Sequence, residues 1–260
     1  TNFSFLGLWD CVRFRPRVHR RRKQLSCSQR YTCRDSVIVG LNPEDARHAL
    51  RFPEVRAVVL DAEPLLDQTV GSWNKIQVCS PWVSQNLIRT NRGYQQLEMC
   101  PAQEPIAEIE PSIWAQTNQS VAWIQEVMHL AGADAREGFL SIRRGTSCPR
   151  LHYDKVALRC LVTLQGPGTW VIPEESVNRA ALMELAESGD LSKLANLSPE
   201  DIDRLVLRAS GHVQVPQGRA VLLKGSDFAQ DKSQAAIHRS PRVPETMWRV
   251  LLQIDGALQS

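Results

Sequence analysis

The segment Cys148-Pro149-Arg150-Leu151-His152-Tyr153-Asp154 sets an imidazole and a carboxylate two residues apart. Side chains alternate with period two along an extended strand, so His152 and Asp154 would share one face. A second imidazole, His238 in Ala236-Ile237-His238-Arg239-Ser240-Pro241, would bring the donors to three. Two histidines and one carboxylate, with other coordination positions left open, suit iron(II). Cys148 stands four residues before His152, on the same parity if the strand reaches that far. A thiolate as fourth donor would instead favour a closed, four-coordinate zinc site. The plain alternative for Cys148 is a small buried hydrophobe.

These residues need a scaffold that brings distant strands together. From Gly138 onward the sequence reads as short, turn-bounded strands at 139–143, 151–154, 158–164, 169–172, 212–215, 220–223, 235–238 and 248–254. Turns such as Gly166-Pro167-Gly168 and Pro216-Gln217-Gly218 separate them, which predicts an antiparallel barrel or jelly roll. A helical insertion at 174–208 interrupts the series. Its second helix should start at Ser198-Pro199-Glu200-Asp201, with Ile202, Leu205 and Val206 as its apolar stripe. The insertion is expected to cover the barrel mouth.

Residues 35–137 read as an α-rich portion. Asn42-Pro43-Glu44-Asp45 gives an N-cap, a proline at the first helical position and an acidic first turn, predicting a helix to about Leu50. A strand is expected at 55–60, and short helices and loops through the proline-interrupted stretch 62–118. A helix is expected at 120–131, where Val121, Ile124, Val127, Met128 and Ala131 follow helical spacing.

With 43% hydrophobic and 23% charged residues, the 260-residue chain has the balance of a soluble globular protein. No apolar run reaches the roughly 18–20 residues of a membrane span. The net charge of +3 conceals an asymmetry: residues 1–34 hold nine of the 31 basic residues and, in Asp10, one of the 28 acidic ones. That leaves 22 basic and 27 acidic residues in a mildly acidic body not built for nucleic acid. The arm at 1–34 reads as a disordered, solvated tail. Nucleic-acid contact through residues 20–23 and an organellar leader are its alternatives. The seven cysteines are an odd number without CxxC spacing, so a reducing, cytoplasmic setting is expected. The chain begins at Thr1 rather than methionine, which suits a fragment or an unusual start.

Arg249 follows His238 by 11 residues, on Trp248-Arg249-Val250-Leu251-Leu252-Gln253-Ile254, and could offer a planar fork to a carboxylate. HxD, a distal His and then an Arg resembles the pattern of the 2-oxoglutarate- and Fe(II)-dependent dioxygenases, over roughly residues 138–256. The resemblance implies a double-stranded β-helix, iron on His152, Asp154 and His238, and the far carboxylate of 2-oxoglutarate on Arg249. Two features depart from it. Val250-Leu251 follows Arg249 without the Ser or Thr often found there, and Gly166-Pro167-Gly168-Thr169-Trp170 replaces the usual Gly-Gly-Glu-Leu type of stretch.

The sequence more closely resembles an uncharacterised, mainly bacterial family, domain of unknown function 1826. The matching features are Cys148-Pro-x-x-His152-x-Asp154, Leu158-Arg159 before the Gly166-Pro167-Gly168-Thr169 turn, Lys224-Gly225, and His238-Arg239-Ser240-Pro241. That resemblance implies no activity, but it makes Cys148 part of the motif set.

Arg159 is read either as a second anion anchor inside the barrel or as half of an ion pair. Tyr153, Trp170 and Trp248 read as packing, and His129 and His212 as surface residues. Ser240 lacks a nucleophile-elbow sequence, and no Walker or dinucleotide glycine pattern is present. The expected architecture is therefore α+β: a cupin-like jelly roll at 138–260 with its helical insertion, packed against the α-rich portion. The expected function is an Fe(II)/2-oxoglutarate oxygenase acting on an unidentified small molecule or protein. The rival from another class is a structural or metal-handling zinc protein that uses Cys148.

Overall fold

Asn42 ends the first strand and starts the first helix. Its side chain accepts the Asp45 N–H at 2.8 Å, and Pro43 occupies the first helical position. The structure, a computed structural model, describes residues 36–74, 82–88, 98–99, 111–187, 198–208, 211–228 and 230–259. The basic arm lies outside these residues, as do five of the seven cysteines; Cys148 and Cys160 are free thiols.

Helix α1 (Pro43–Leu50) joins β1 (Val37–Leu41) to β2 (Ala57–Leu60), which pair in parallel. A parallel pair needs such a crossover, because a tight turn can only reverse the chain. Helices α2 (Pro64–Trp73) and α3 (Pro111–Leu130) pack together. Helix α3 begins nine residues before the expected start at 120. Its first half buries Thr117 and Ser120, which sequence periodicity scores as polar. Both are satisfied internally: Trp73 Nε1 donates to Thr117 Oγ1 at 3.0 Å, and the Thr69 and Ser120 hydroxyls lie 2.8 Å apart. The stretch expected to hold only helices and loops also contributes β3 (Trp82–Ile88) and β4 (Glu98–Met99).

The remaining strands are β5 (Ala133–Arg144), β6 (Leu158–Gln165), β7 (Trp170–Ile172), β8 (Val213–Gln214), β9 (Ala220–Lys224), β10 (Ile237–Arg239) and β11 (Trp248–Leu258). They form an eight-stranded sheet in the order β1-β2-β9-β6-β11-β5-β3-β4 and a three-stranded sheet in the order β10-β7-β8. The class is mixed α+β. Alternation sorts the faces of the large sheet. Ala57, Val59, Leu161, Val221 and Leu223 pack against Val171, Val215 and Ala236 from the region of the small sheet. On the opposite face of β6 and β11 lie Leu158, Cys160, Val162, Leu164, Val250, Leu252 and Ile254, all buried, where α2 and α3 contact these strands. Strands covered on both faces read as near-continuous apolar runs, as β6 and β9 do.

Two expectations change. Residues 151–154 form no strand; their one ladder contact is an isolated antiparallel bridge between His152 and His238. The insertion does contain helices, α4 (Arg179–Glu187) and α5 (Pro199–Val206), the latter closed by the Ser198–Asp201 capping box. Its Leu182, Ile202 and Val206 pack on Leu151, Ile172 and Ile237. Leu151 and Ile237 precede the two histidines and point the other way. The described part of the insertion therefore buttresses the back of the small sheet, away from the expected mouth. No helix among the described residues is long and apolar enough to cross a membrane.

Lys224 is buried at the end of β9, where it donates to the Phe52 carbonyl at 2.8 Å and lies 4.8 Å from the centre of the Phe228 ring. Burial, aided by Arg56, pushes its pKa down to about 8 from 10.5. A base whose folded value is depressed costs stability while charged, and that cost is relieved as pH rises between the two values. Lys224 should therefore make the fold gain stability between about pH 8 and pH 10.5, and Lys224→Met should remove that gain. Urea midpoints of both proteins across that range measure the difference.

Candidate metal centre

The His152–His238 bridge is the local device that builds the centre. Each residue donates its N–H to the other's carbonyl, at 3.1 and 3.0 Å. Residues directly opposite in such a pair project side chains to the same face. The rings accordingly meet with centroids 4.4 Å apart. Asp154 follows on a loop pinned by Ser226, whose N–H donates to the Asp154 carbonyl at 2.8 Å.

Both imidazoles are oriented by backbone carbonyls. His152 Nδ1 lies 3.0 Å from the Arg150 carbonyl oxygen, and His238 Nδ1 lies 3.4 Å from that of Ala236. With the proton held on Nδ1, the Nε2 lone pairs face the carboxylate: His152 Nε2 is 3.9 Å from Asp154 Oδ1, and His238 Nε2 is 3.3 Å from Oδ2. Anchoring one ring nitrogen to present the other is the usual outer arrangement of metal-binding histidines.

A divalent cation fits this donor set. Asp154 Oδ2 is buried and receives no hydrogen bond among the described residues. It faces the Nε2 of His238, a side chain only 5% exposed, whose pKa burial pushes well below the ordinary value, with His152 and Arg159 adding to the effect. With the His238 proton on Nδ1, the electron pairs of Nε2 and Oδ2 face each other at 3.3 Å, an arrangement that a cation between them would stabilise. The three donor atoms lie within 4.8 Å of one another. Donors about 2.1 Å from one ion lie about 3.0–3.6 Å apart when the angles between them are about 90–120°, so closure draws the widest-spaced donors together by up to about 1–2 Å.

Cys148 stands on the other side of the His152 ring. Its Sγ lies 3.6 Å from Nδ1, not from the Nε2 that faces Asp154, and it is not among the converging donors. The His152 hydrogen bond lowers the thiol's pKa against the opposing effect of burial. Burial works against protonation of His152 too, but Cys148 and the Arg150 carbonyl outweigh it and raise the imidazole. Arg159, read from the sequence as either an anion anchor or half of an ion pair, lies between two carboxylates, Asp154 and Asp255. Three of its nitrogens are engaged there, so the ion-pair reading fits the geometry.

Arg249 is 3% exposed and bonds only to neutral oxygens among the described residues. Nε donates to the Pro167 carbonyl at 3.0 Å, Nη1 to Ser240 at 3.1 Å and Ser147 at 3.4 Å, and Nη2 to Thr169 at 3.0 Å and Thr163 at 3.4 Å. Burial without a counter-charge pulls its pKa down to about 10. A cavity of about 300 Å³ is lined by His152 and His238 and by Ser147, Ser240 and Thr169, three of the hydroxyl partners of Arg249. Sequence reasoning missed this hydroxyl ring. It sought a hydroxyl two residues after Arg249, and the fold supplies four from other segments. Ser147 and Ser240 adjoin the motifs already singled out, and their hydroxyls lie 2.7 Å apart. Asp255 was missed as well; its only sequence signal is its parity with Arg249 on β11.

Gly225 is a packing requirement of the Asp154 loop. A Cβ there would lie 2.0 Å from the Val156 carbonyl oxygen and 2.9 Å from that of Asp154. Gly225→Ala must push the loop away, which should cost about 2–3 kcal/mol as overpacking and weaken metal binding at the same time. Thermal melting and a metal titration on the variant check both effects.

A family model described as "Protein of unknown function (DUF1826)" matches residues 83–255. No curated protein matches the sequence. Among solved structures, the chain is similar to a putative oxygenase from Shewanella oneidensis: 12% identity, 86% of this chain and 89% of that one covered, TM-score 0.45. It is also similar to a full-length Neurospora crassa protein in complex with alpha-KG, at 13% identity, 84% and 79% coverage and TM-score 0.44. A 2OG-Fe(II) oxygenase family oxidoreductase from Burkholderia pseudomallei gives 11% identity, 86% and 99% coverage and TM-score 0.41.

Proposed function

The chain belongs to the DUF1826 family, whose description names no activity, and from its own site we propose that it is an Fe(II)- and 2-oxoglutarate-dependent oxygenase. The observation that carries this reading is a pair of incomplete sites beside one cavity, which His152 and His238 line for the first and Ser147, Ser240 and Thr169, partners of Arg249, line for the second. Among the described residues, one is a three-donor set whose buried carboxylate oxygen receives no hydrogen bond, and the other is a buried guanidinium with no acid beside it. A divalent metal satisfies the first and a carboxylate the second. A keto acid that chelates the metal at one end and carries a carboxylate at the other satisfies both.

In this reading His152 and His238 hold the ion through Nε2, and Asp154 holds it through Oδ2. Bound iron(II) supplies the redox chemistry that couples keto-acid oxidation to dioxygen. Arg249 pairs with the far carboxylate, and the Ser147, Ser240 and Thr169 hydroxyls help to orient it. Phe139, Leu161 and Leu251 line the same cavity and make part of its wall apolar, limiting water. The two sheets that face each other across the cluster of Leu161, Val171 and Ala236 act as the halves of a double-stranded β-helix.

Anaerobic addition of Fe(II) and 2-oxoglutarate should give a weak visible charge-transfer band. A metal-replete sample without the band speaks against the oxygenase. A zinc site through Cys148 would need Sγ to leave the Nδ1 side of His152. Metal content that is mostly zinc and falls in Cys148→Ala would favour that reading.

A further inference from the structure

Arg159 bonds one oxygen of Asp154, Oδ1, which lies 3.9 Å from His152 Nε2, and leaves Oδ2 without a hydrogen bond among the described residues, 3.3 Å from His238 Nε2. Arg159 Nη1 donates to Asp154 Oδ1, while its Nε and Nη2 form a two-pronged contact with Asp255 at 2.6 and 2.7 Å. Asp255 sits directly across the β6–β11 ladder from Arg159, so the ladder itself fixes this fork. Gln253 Nε2, two residues away on the same face, donates to Asp255 Oδ2 at 3.1 Å. All three charged side chains are largely withdrawn from solvent, at 15% exposure for Arg159, 9% for Asp154 and 5% for Asp255.

We propose that Arg159 and Asp255 are a positioning pair for the metal centre: they lock Asp154 so that Oδ2 alone faces the ion, and they leave the site its negative charge. The inference rests on the metal reading above and goes beyond it. A guanidinium forked onto a rigid strand carboxylate has one remaining prong, and its direction sets the Asp154 carboxylate plane. Oδ1, once bonded to Arg159, is a poor second metal donor, so Asp154 binds through one oxygen and other coordination positions stay open. The charges matter equally. Arg159 with Asp154 alone would be neutral, whereas two carboxylates on one guanidinium leave one net negative charge to attract a divalent cation.

Cobalt(II) titration monitored by visible absorption tests this on the whole protein. Arg159→Gln and Asp255→Asn should each weaken Co(II) binding by roughly 10–100-fold, the range for outer-shell partners of metal ligands. Each should also shift the absorption bands as the second Asp154 oxygen becomes available. The double variant should bind no worse than the weaker single one, because the pair acts through one contact. Arg159→Lys, which retains charge but loses the fork, should recover only part of the affinity and not the wild-type spectrum. Circular dichroism selects the folded variants; should Arg159→Gln fail to fold, Arg159→Lys and Asp255→Asn carry the test. Folded variants that match wild-type affinity and spectrum overturn the positioning role alone. Wild-type protein that takes up no Co(II) overturns the metal reading and this pair with it.

Discussion

His238→Ala should abolish metal binding while leaving the fold in place. The bridge to His152 is made by backbone groups, at 3.0 and 3.1 Å, so it survives loss of the ring. Removing a donor should cost more than the roughly 10–100-fold lost on removing an outer-shell partner. The thermal readout is large. An ion present at a hundred times its dissociation constant adds about 2.7 kcal/mol, or about 5–10 °C for a domain of this size. The wild-type protein should show that rise with Co(II) or Mn(II), and His238→Ala should show none. His129→Ala is the control, since His129 is half-exposed beside Asp134. A metal-dependent rise that persists in His238→Ala would place the ion elsewhere.

Legibility in the sequence follows the range of the interactions involved. Helix α1 was legible to the residue because its signals, Asn42, Pro43, Glu44 and Asp45, are contiguous and act locally. The start of α3 was not, since Thr117 and Ser120 count as core only once Trp73 and Thr69 arrive to bond them. The triad was legible as residue types, but the reason offered for its geometry needed correction. His152 and Asp154 do not alternate along a strand; an isolated bridge aligns His152 with His238, and the Ser226 contact holds Asp154. The surroundings of the triad were illegible for a related reason. Ser147, Thr163, Thr169 and Asp255 gain meaning only from register, which a single sequence does not state. Arg159 shows the same limit: Asp255 is 96 residues away, so an ion pair and an anion anchor look alike until the β6–β11 ladder is known.

Arg249→Met should eliminate 2-oxoglutarate binding and leave the ligand-free protein as stable as wild type or more so. The guanidinium is withdrawn from water, its partners among the described residues are only hydroxyls and a carbonyl, and burial holds its pKa down at about 10. A depressed folded value in a base means that the charge opposes folding below about pH 10, and that the penalty is relieved only as pH climbs from there towards the ordinary guanidinium range. At neutral pH the empty site therefore carries a cost, which replacement by an apolar side chain of similar length removes. Ser147 and Ser240 already bond each other at 2.7 Å and need not be orphaned by the change. A ligand carboxylate reverses the balance, because it supplies the counter-charge in a site closed to water, where charge-assisted bonds are strong. With Mn(II) bound and 2-oxoglutarate at a hundred times its dissociation constant, wild-type protein should gain about 2.7 kcal/mol and Arg249→Met nothing. Arg249→Lys separates charge from geometry. It retains the cation but not the fork, so it should keep the empty-site penalty while binding the keto acid more weakly than arginine does. Urea unfolding and calorimetric titration of the three proteins measure the two effects independently. A variant that loses stability in the empty state yet still binds 2-oxoglutarate would reduce Arg249 to a structural brace.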